Sequence, residues 1–416
     1  MPLERPPHGG VTITPVRGRA DLREFVGLPF RLHAGTPWIP PLKLERYAYL
    51  NRRLNPFFKH GDAELFIARR DGRVVGRISA QYDRNFNVFH GNRWGFFGFL
   101  EFEDDQRVLD ELLDAAATWQ KAQGRDRMIG PFDLIINEEC GVLIDGFELE
   151  PMIRQPWHPR YYRQRVEAAG LAKAMDVFHW DLRLDDRDTR MLEALPRIAQ
   201  RSHDRYGINI RKMSFWRLGK DLKEFQKIYN AAWSKNWGFS PYDDHDLADM
   251  AINYRLIFDK RWFMIAENDK EVVAAAITIP DINQALKKMN GRVLPFGWWH
   301  YLNRRRIIDR CRVGFLGVLP EYQHTGVAAQ LYMENFDMAA ASEIKWGEPG
   351  WILETNHSMN RGLEAMGGRI SKRMRIYERL LEDGAEPSAP PESVARYEPP
   401  ESVAPGAPGA PGAPGA

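Results

Sequence analysis

Apolar and polar positions along the chain fall into two successive series of the same elements. Glu64 to Ala80 reads ELFIARRDGRVVGRISA, two β-rich runs on either side of Asp71-Gly72, which predicts a tight hairpin. Trp262 to Ile279 reads WFMIAENDKEVVAAAITI, again two apolar runs around a polar turn, Asn268 to Glu271. Helical segments precede each hairpin; in the second series Leu222, Phe225, Tyr229, Ala232 and Trp233 recur at helical spacing. A long strand follows each hairpin, Trp94 to Phe102 and Arg312 to Leu319. A helix with one apolar stripe comes next: Leu109, Leu112, Leu113 and Ala116 in the first series, Val327, Leu331 and Met338 in the second. Short strands follow at Met128 to Gly130 and Trp351 to Leu353. Each series closes on a helix and a last strand, Ala174 to Leu182 and Ile370 to Leu380.

The hairpins lie roughly 200 positions apart, the spacing of whole domains rather than of solenoid repeats. The pattern predicts a duplicated α/β unit, one copy over residues 11–185 and a second over 186–382. Identity between the halves is weak, so two unrelated α/β domains stay open as the alternative. From Asp383 the composition shifts to Pro, Ala, Gly and Glu and ends in APG repeats. Residues 383–416 bury too little apolar area to offset chain entropy, and a disordered tail is expected.

An apolar fraction of 44% over 416 residues is ample for two large cores. The formal charge of +2 gives no global reason to expect nucleic acid as a partner. Cys140 and Cys311 have no metal-ligand spacing around them; they read as reduced thiols of a cytoplasmic protein, and no metal is expected. No apolar run reaches the ~18–20 residues of a membrane-spanning helix. The N-terminal MPLERPPHGG lacks the apolar segment of a secretory signal. The expectation is a cytoplasmic protein, attached at most to the face of the inner membrane.

Candidate chemistry lies after the strand Arg312 to Leu319, in Pro320-Glu321-Tyr322-Gln323-His324-Thr325-Gly326-Val327-Ala328. A strand feeds a turn that opens a helix, whose first backbone N–H groups lack internal partners and favour an anion. The loop resembles the acetyl-CoA signature of the GNAT family, Arg/Gln-x-x-Gly-x-Gly/Ala, with Gln323, Gly326 and Ala328 at the three places. The competing reading is an ordinary Gly-containing strand-to-helix turn. The same place in the first half reads Glu103-Asp104-Asp105-Gln106, carboxylates that repel a pyrophosphate and suit a helix start. Only the second copy is expected to bind the donor.

The resemblance implies an α/β (α+β) fold of two tandem GNAT-like domains with mixed, mostly antiparallel sheets. In such a fold the sheet splays between its fourth and fifth strands, and the donor lies in the gap. Acetyl-CoA or acyl-CoA is then a co-substrate, with no permanently bound cofactor. Its pyrophosphate would meet Gln323, His324, Thr325, Gly326, Val327 and Ala328, and a backbone N–H between Leu316 and Val318 would polarise the thioester carbonyl. The family often has an Asn after the fifth strand, which Asn356 matches, and a Tyr seven residues later, where this chain has Leu363. Tyr322 or Tyr332 would then supply the proton for the leaving thiolate, unless the thiolate leaves unprotonated. Glu354 is the leading candidate base, at the open end of the splayed strand, with His357 second. Glu354 equally suits a helix cap or a salt bridge.

The stretches PWIPPL (Pro37 to Leu42), NPFF (Asn55 to Phe58), GRISA (Gly76 to Ala80), GFFGFLE (Gly95 to Glu101), INEECGVLIDGF (Ile136 to Phe147), NAAWSKNWGFSP (Asn230 to Pro241) and ETNHSMNRGLEAMGG (Glu354 to Gly368) resemble a group of long tandem bacterial GNAT proteins. That group is connected with bacterial ceramide synthesis, in which a GNAT-like enzyme N-acylates a sphingoid base. The resemblance spans nearly the whole chain except the tail. It implies an N-acyltransferase that moves an acyl group from CoA or acyl carrier protein to a primary amine, of a sphingoid or other lipid-like kind. Asn137 and Glu138 at the open edge of the first sheet, and Trp233, Asn236 and Trp237 on an aromatic loop, are the candidate acceptor contacts. Core packing is the other reading of the tryptophans. The segment from Leu294 to Arg310, with Trp298, Trp299, Tyr301 and Arg304 to Arg306, suits either an interfacial helix on anionic lipid or a solvated helix with snorkelling arginines. Two other functions stay open: a non-catalytic acyl-CoA sensor or assembly protein, and a Fem-like aminoacyl transferase. The intact loop at Gln323 to Ala328 argues against the second.

Overall fold

The computed structural model describes residues 10–183, 189–247, 258–390 and 397. The first half contributes β1 (Val11–Pro15), β2 (Gly61–Arg70), β3 (Arg73–Asp83), β4 (Trp94–Phe102), β5 (Arg127–Gly130), β6 (Val142–Asp145) and β7 (Ala172–Arg183). The second contributes β8 (Asn209–Lys212), β9 (Phe263–Glu267), β10 (Val272–Pro280), β11 (Arg310–Val318), β12 (Trp346–Pro349), β13 (Ile352–Leu353) and β14 (Arg369–Leu380). They join in one sheet of order β1-β2-β3-β4-β5-β14-β7-β12-β11-β10-β9-β8, with β6 on β14 and β13 on β7. Read from its two edges, the sheet has the same order, and each half holds a parallel pair, β4 with β5 and β11 with β12, in an otherwise antiparallel array. This is the predicted duplication. At the first hairpin, Asp71 and Gly72 have φ of 49° and 79°, the left-handed pair that a two-residue turn needs to match strand twist.

The closing strands differ from expectation. The sequence places Ala174 to Leu182 at the end of the first half and Ile370 to Leu380 at the end of the second. In the structure the two are exchanged: β14 pairs with β5 of the first half, and β7 pairs with β12 and β13 of the second. They also pair with each other, from Arg369↔Asp181 to Glu378↔Ala172. Both are long strands that lie in the sheet interior, β7 buried without a break from Ala174 to Trp180 and β14 at Met374 and from Ile376 to Glu378, so neither pattern favours one partner over the other. Only the three-dimensional path of the chain chooses.

The fifth strand of the second half is only partly the one predicted, since the expected Trp351 to Leu353 appears as β13 but a second piece precedes it. It is split into β12, which pairs with β11 over Arg310 to Val313, and β13, which pairs with β7. Past Val313, β11 pairs only with β10. The sheet therefore opens between β11 and β13. The sequence Trp346-Gly-Glu-Pro carries no strand signal because one of its two buried members is charged and the other is a proline. Glu348 accepts hydrogen bonds from Lys372 on β14 and from the Gln155 amide, and His179 Nδ1 of β7 lies 3.2 Å from it. Burial opposes the charge on Glu348, but Lys372 and His179 outweigh it and hold its pKa below the ordinary carboxylate value.

Alternation on β9 and β10 separates two layers. Phe263, Ile265, Ala275 and Ile277 pack under the Leu218–Ala232 helix, while Met264, Ala266, Ala274 and Ala276 pack under the Val327–Ala340 helix. The helix stripe predicted in the first half is fully buried: Leu109, Leu112, Leu113 and Ala116. Both cysteines are buried free thiols whose pKa burial pushes up to about 12. Among the described residues no helix is long and apolar enough to cross a membrane. Part of the expected tail lies along the protein without helix or strand. The Ser388 N–H donates to Glu378, and the Tyr397 N–H donates to the Glu354 carbonyl. Residues 391–396 and 398–416 lie outside the described residues.

Candidate functional site

The gap between β11 and β13 opens a cleft of about 1060 Å³, counting the space at its mouth. It passes through the sheet. Tyr332 and Met359 reach it from the helices on one face, and Tyr229 and Trp233 from the Leu218–Ala232 helix and its end on the other. Gly314, Phe315 and Leu316 form one wall, Gly350 to Leu353 the other. Trp233 lies so close to β11 that a Cβ at Gly317 would sit 2.3 Å from its ring. Arg312 closes the floor, donating to the carbonyls of Ile153 at 2.6 Å, Arg154 at 3.0 Å and Gly350 at 3.2 Å. Those bonds bring a loop of the first half into a cleft of the second. The cleft continues into a surface groove of about 1240 Å³, with Asn236, Leu353 and Asn356 common to both. Phe89, His90, Trp94, Trp237 and His357 line the groove.

Several sequence candidates meet here. Leu316, Asn356, Asn137, Trp233 and Asn236 all line the cleft. Asn356 also caps the His357–Ala365 helix, its Oδ1 accepting from the Met359 N–H at 3.2 Å. Tyr229 donates to Asn137 Oδ1 at 3.0 Å, while the buried Asn137 Nδ2 has no hydrogen-bond partner among the described residues. Of the two tyrosines considered, Tyr332 is the one at the cleft. Its hydroxyl donates to Met359 Sδ, and burial raises its pKa to about 12.

Four candidates sit elsewhere. Tyr322 donates to Glu271 at 3.0 Å on the β9–β10 turn and does not line the cleft. Glu354 is buried, bonded to Lys173 at 2.8 Å and to the Asp176 N–H at 3.1 Å, and is likewise absent from the cleft wall. These bonds tie the chain just after β13 to β7. Glu138 pairs with Arg154 at 3.0 Å and faces a smaller cavity beside Tyr49 and His60. Trp237 donates to the Ser388 carbonyl at 2.8 Å and belongs to the groove. Among the described residues no carboxylate lines the main cleft. Sequence reasoning missed Arg154, Arg312 and Ile153; an arginine in a strand and a loop arginine with φ of 58° carry no local mark of a shared site.

The loop after β11 lies at the surface. Gln323 and His324 are exposed, Thr325 and Val327 are buried, and Val318 ends β11 beside Ala274. The Val327–Ala340 helix begins at Gly326 without a capping side-chain bond; the Val327 N–H makes one long contact, 3.4 Å, with Thr325 Oγ1. Ala328 is half-buried in the first turn. Gly326 has φ of 85°, and a Cβ there would lie 2.7 Å from Ile198 Cγ2 of the Thr189–Tyr206 helix. That glycine is required by the backbone and by this helix, a reason apart from phosphate approach. In the first half Asp105 caps the Gln106–Ala122 helix, and Glu103 pairs with Arg31 and Arg73.

No protein-family model matches the chain. It is 36% identical over 382 residues to the bacterial ceramide synthase of Caulobacter vibrioides (strain NA1000 / CB15N), covering 89% of this chain and 98% of that protein. It is 34% identical over 368 residues to protein YghO of Escherichia coli K12, covering 87% and 93%. Among solved structures, a tandem GNAT protein from the clavulanic acid biosynthesis pathway superposes with a TM-score of 0.55 at 12% identity, over 90% of this chain and all of the other. A GCN5-related N-acetyltransferase from Sphaerobacter thermophilus gives 0.51 at 12% identity, over 91% and 98%. With a doubled GNAT sheet, a cleft at its splay, and relatives matched along nearly their whole length, the chain has the tandem GNAT fold and belongs to the same family as the Caulobacter bacterial ceramide synthase.

Proposed function

We propose that the protein transfers an acyl group from a CoA or acyl carrier protein thioester to the primary amine of a lipid-like amine of the sphingoid class. The observation that carries this is the cleft at the gap in the sheet, lined from both faces, with mostly apolar walls from Trp233, Phe315, Ile153 and Ile279. The name of the Caulobacter relative supports the acceptor class. Residues 186–382 are the unit that carries the donor loop. Residues 11–185 are a degenerate unit that supplies one side of the acceptor site through Asn137.

The donor's pyrophosphate meets the helix start at Gly326, with Gln323, His324, Thr325, Val327 and Ala328 around it. A main-chain N–H between Leu316 and Val318 takes the negative charge that develops on the thioester oxygen. The acceptor nitrogen attacks the carbonyl carbon, the amide C–N bond forms, and the C–S bond breaks. His357, in the groove beside Asn356, is the base that takes the ammonium proton before attack; Tyr332 then gives its proton to the departing thiolate, and the second proton lost by the nitrogen as the amide forms restores the Tyr332 hydroxyl. Asn137 Nδ2 and Asn236 hold the acceptor head.

The test is incubation of the purified protein with long-chain acyl-CoA or acyl carrier protein and a long-chain amino alcohol, with mass-spectrometric detection of the N-acyl product. Absence of product with either donor overturns the proposal. The second reading, a non-catalytic acyl-thioester binder, draws on the lack of a carboxylate in the cleft wall among the described residues. It predicts donor binding without turnover.

A further inference from the structure

Between β10 and β11 the chain inserts residues 281–309, folded as three short helices, Asn283–Met289, Gly297–Leu302 and Arg304–Ile307. From 282 to 308 this segment has no carboxylate and six cations, Lys287, Lys288, Arg292, Arg304, Arg305 and Arg306, in a chain whose whole formal charge is +2. Ile282, Ala285, Met289 and Ile308 anchor the segment to the core, but the apolar side chains between residues 293 and 302 are not packed inward. Leu294, Phe296, Trp299 and Leu302 are 73%, 74%, 57% and 62% exposed, and Trp298 is exposed as well. A second aromatic tip lies beside it. Arg305 is 3.8 Å from Asp259, the neighbouring Phe258 ring lies 6.0 Å from that of Phe215, and the adjacent Trp216 is 90% exposed.

Isolated exposed apolar residues need no explanation, but two adjoining aromatic tips beside a carboxylate-free basic segment do. Tryptophan and phenylalanine prefer the headgroup region of a bilayer, and arginines beside them meet its phosphates. A second copy of the chain fits poorly, because a two-fold interface would set Arg304 to Arg306 against the same residues of its mate. We propose that this surface, the 292–306 insertion with Phe215 and Trp216, docks the protein onto an anionic lipid bilayer. The apolar tips enter the headgroup layer and the arginines pair with lipid phosphate. β10 carries Ile279 into the cleft and runs within four residues into the insertion, so the docked surface and the cleft are joined by one strand. The inference goes beyond the acyl-transfer reading, and its first readout uses no catalysis.

The experiment is co-sedimentation of the full chain with vesicles of phosphatidylcholine alone or mixed with phosphatidylglycerol, at low and high salt. The wild-type protein is expected on the mixed vesicles at low salt, and to be released by salt. At about 1 kcal/mol per basic residue near an anionic surface, Arg304→Gln/Arg305→Gln/Arg306→Gln weakens partitioning roughly a hundredfold. Phe296→Ser/Trp299→Ser weakens it at least roughly tenfold on both kinds of vesicle, since insertion scales with apolar area. All five positions lie on the insertion's helices or their flanks, and circular dichroism checks that the variants remain folded. Turnover on a water-soluble short-chain amine stays at the wild-type level in both variants, which separates failed docking from failed chemistry. The proposal is overturned if the wild-type protein stays in the supernatant with mixed vesicles at low salt, or if the variants sediment as it does. It is also overturned if ultracentrifugation finds a dimer that these substitutions dissociate while vesicle binding is nil.

Discussion

Lys372→Met isolates the polar cluster that holds β12, β7 and β14 together. Lys372 and Glu348 are 2% and 0% exposed, and the ammonium is the only cation bonded to that carboxylate among the described residues. Removing one partner of a buried pair leaves the other charge uncompensated, at a cost of ~3–5 kcal/mol, against a typical total stability of ~5–15 kcal/mol. Gln155 and His179 still face Glu348 but bring no fixed charge, so the lower part of that range is expected. The pair's contribution is complete at neutral pH. Glu348 has a depressed folded pKa, so the stabilisation is present above the unfolded value of about 4.3 and is lost as pH falls through the folded one. Urea unfolding at pH 7, followed by tryptophan fluorescence, gives the loss directly. Glu348→Leu/Lys372→Met removes both charges at similar volume and should return to within about 2 kcal/mol of wild type. A Lys372→Met loss below about 1 kcal/mol, or a double variant no better than the single, would refute the argument that an unpaired charge is the cause. The cluster also bears on the cleft: Pro349 and Gly350 follow Glu348 into its wall, so Lys372→Met should weaken donor binding as well.

Ala328→Glu places a carboxylate in the first turn of the Val327–Ala340 helix, where it suits the helix dipole but repels a diphosphate. Calorimetry should find acyl-CoA affinity reduced roughly tenfold or more with the melting temperature unchanged; equal affinity would remove the loop from the donor site. Glu354→Gln should lower stability by about 1–3 kcal/mol through the lost pairing with Lys173, yet leave kcat per folded molecule intact, whereas His357→Gln lowers kcat. The reverse pattern would return Glu354 to the chemistry. His60 links the halves through Asp83 at 2.9 Å and Asp246 at 3.3 Å; burial opposes its charge, but the hydrogen bonds to Asp246 and Asp83 raise its pKa to about 10. Its contribution is therefore full below about pH 6.5 and fades as pH climbs towards 10, and a urea midpoint in His60→Gln should be flatter over that window; an identical slope refutes the link. His158 has the opposite sign: burial lowers its pKa to about 4, so stability falls as pH drops from about 6.5 to 4, and His158→Phe should reduce that slope.

Local pattern was enough for most elements. Asp71-Gly72 marks its hairpin because few residues adopt two left-handed conformations in succession. The stripe of Leu109, Leu112, Leu113 and Ala116 marks its helix because burial selects one face. Gln323, Gly326 and Ala328 were legible as a strand-to-helix loop for the same kind of reason, since backbone geometry and side-chain size act within a few residues. The sequence misled where charge is buried. Glu348 made β12 look like loop, and Glu354 looked available when its carboxylate was already bonded to Lys173 and Asp176.

The chain alone determined the duplicated order of strands and helices, the asymmetry between an acidic loop at Glu103 and an open one at Gly326, and the basic aromatic insertion. Only the tertiary structure decided that β7 and β14 change places, that Arg312 draws Ile153 and Arg154 under the cleft, and that Asn137 meets Trp233 across it. The first group rests on forces between neighbours in sequence. The second depends on contacts between residues more than 90 positions apart, whose hydrophobic period and charge permit several partners until the chain path selects one.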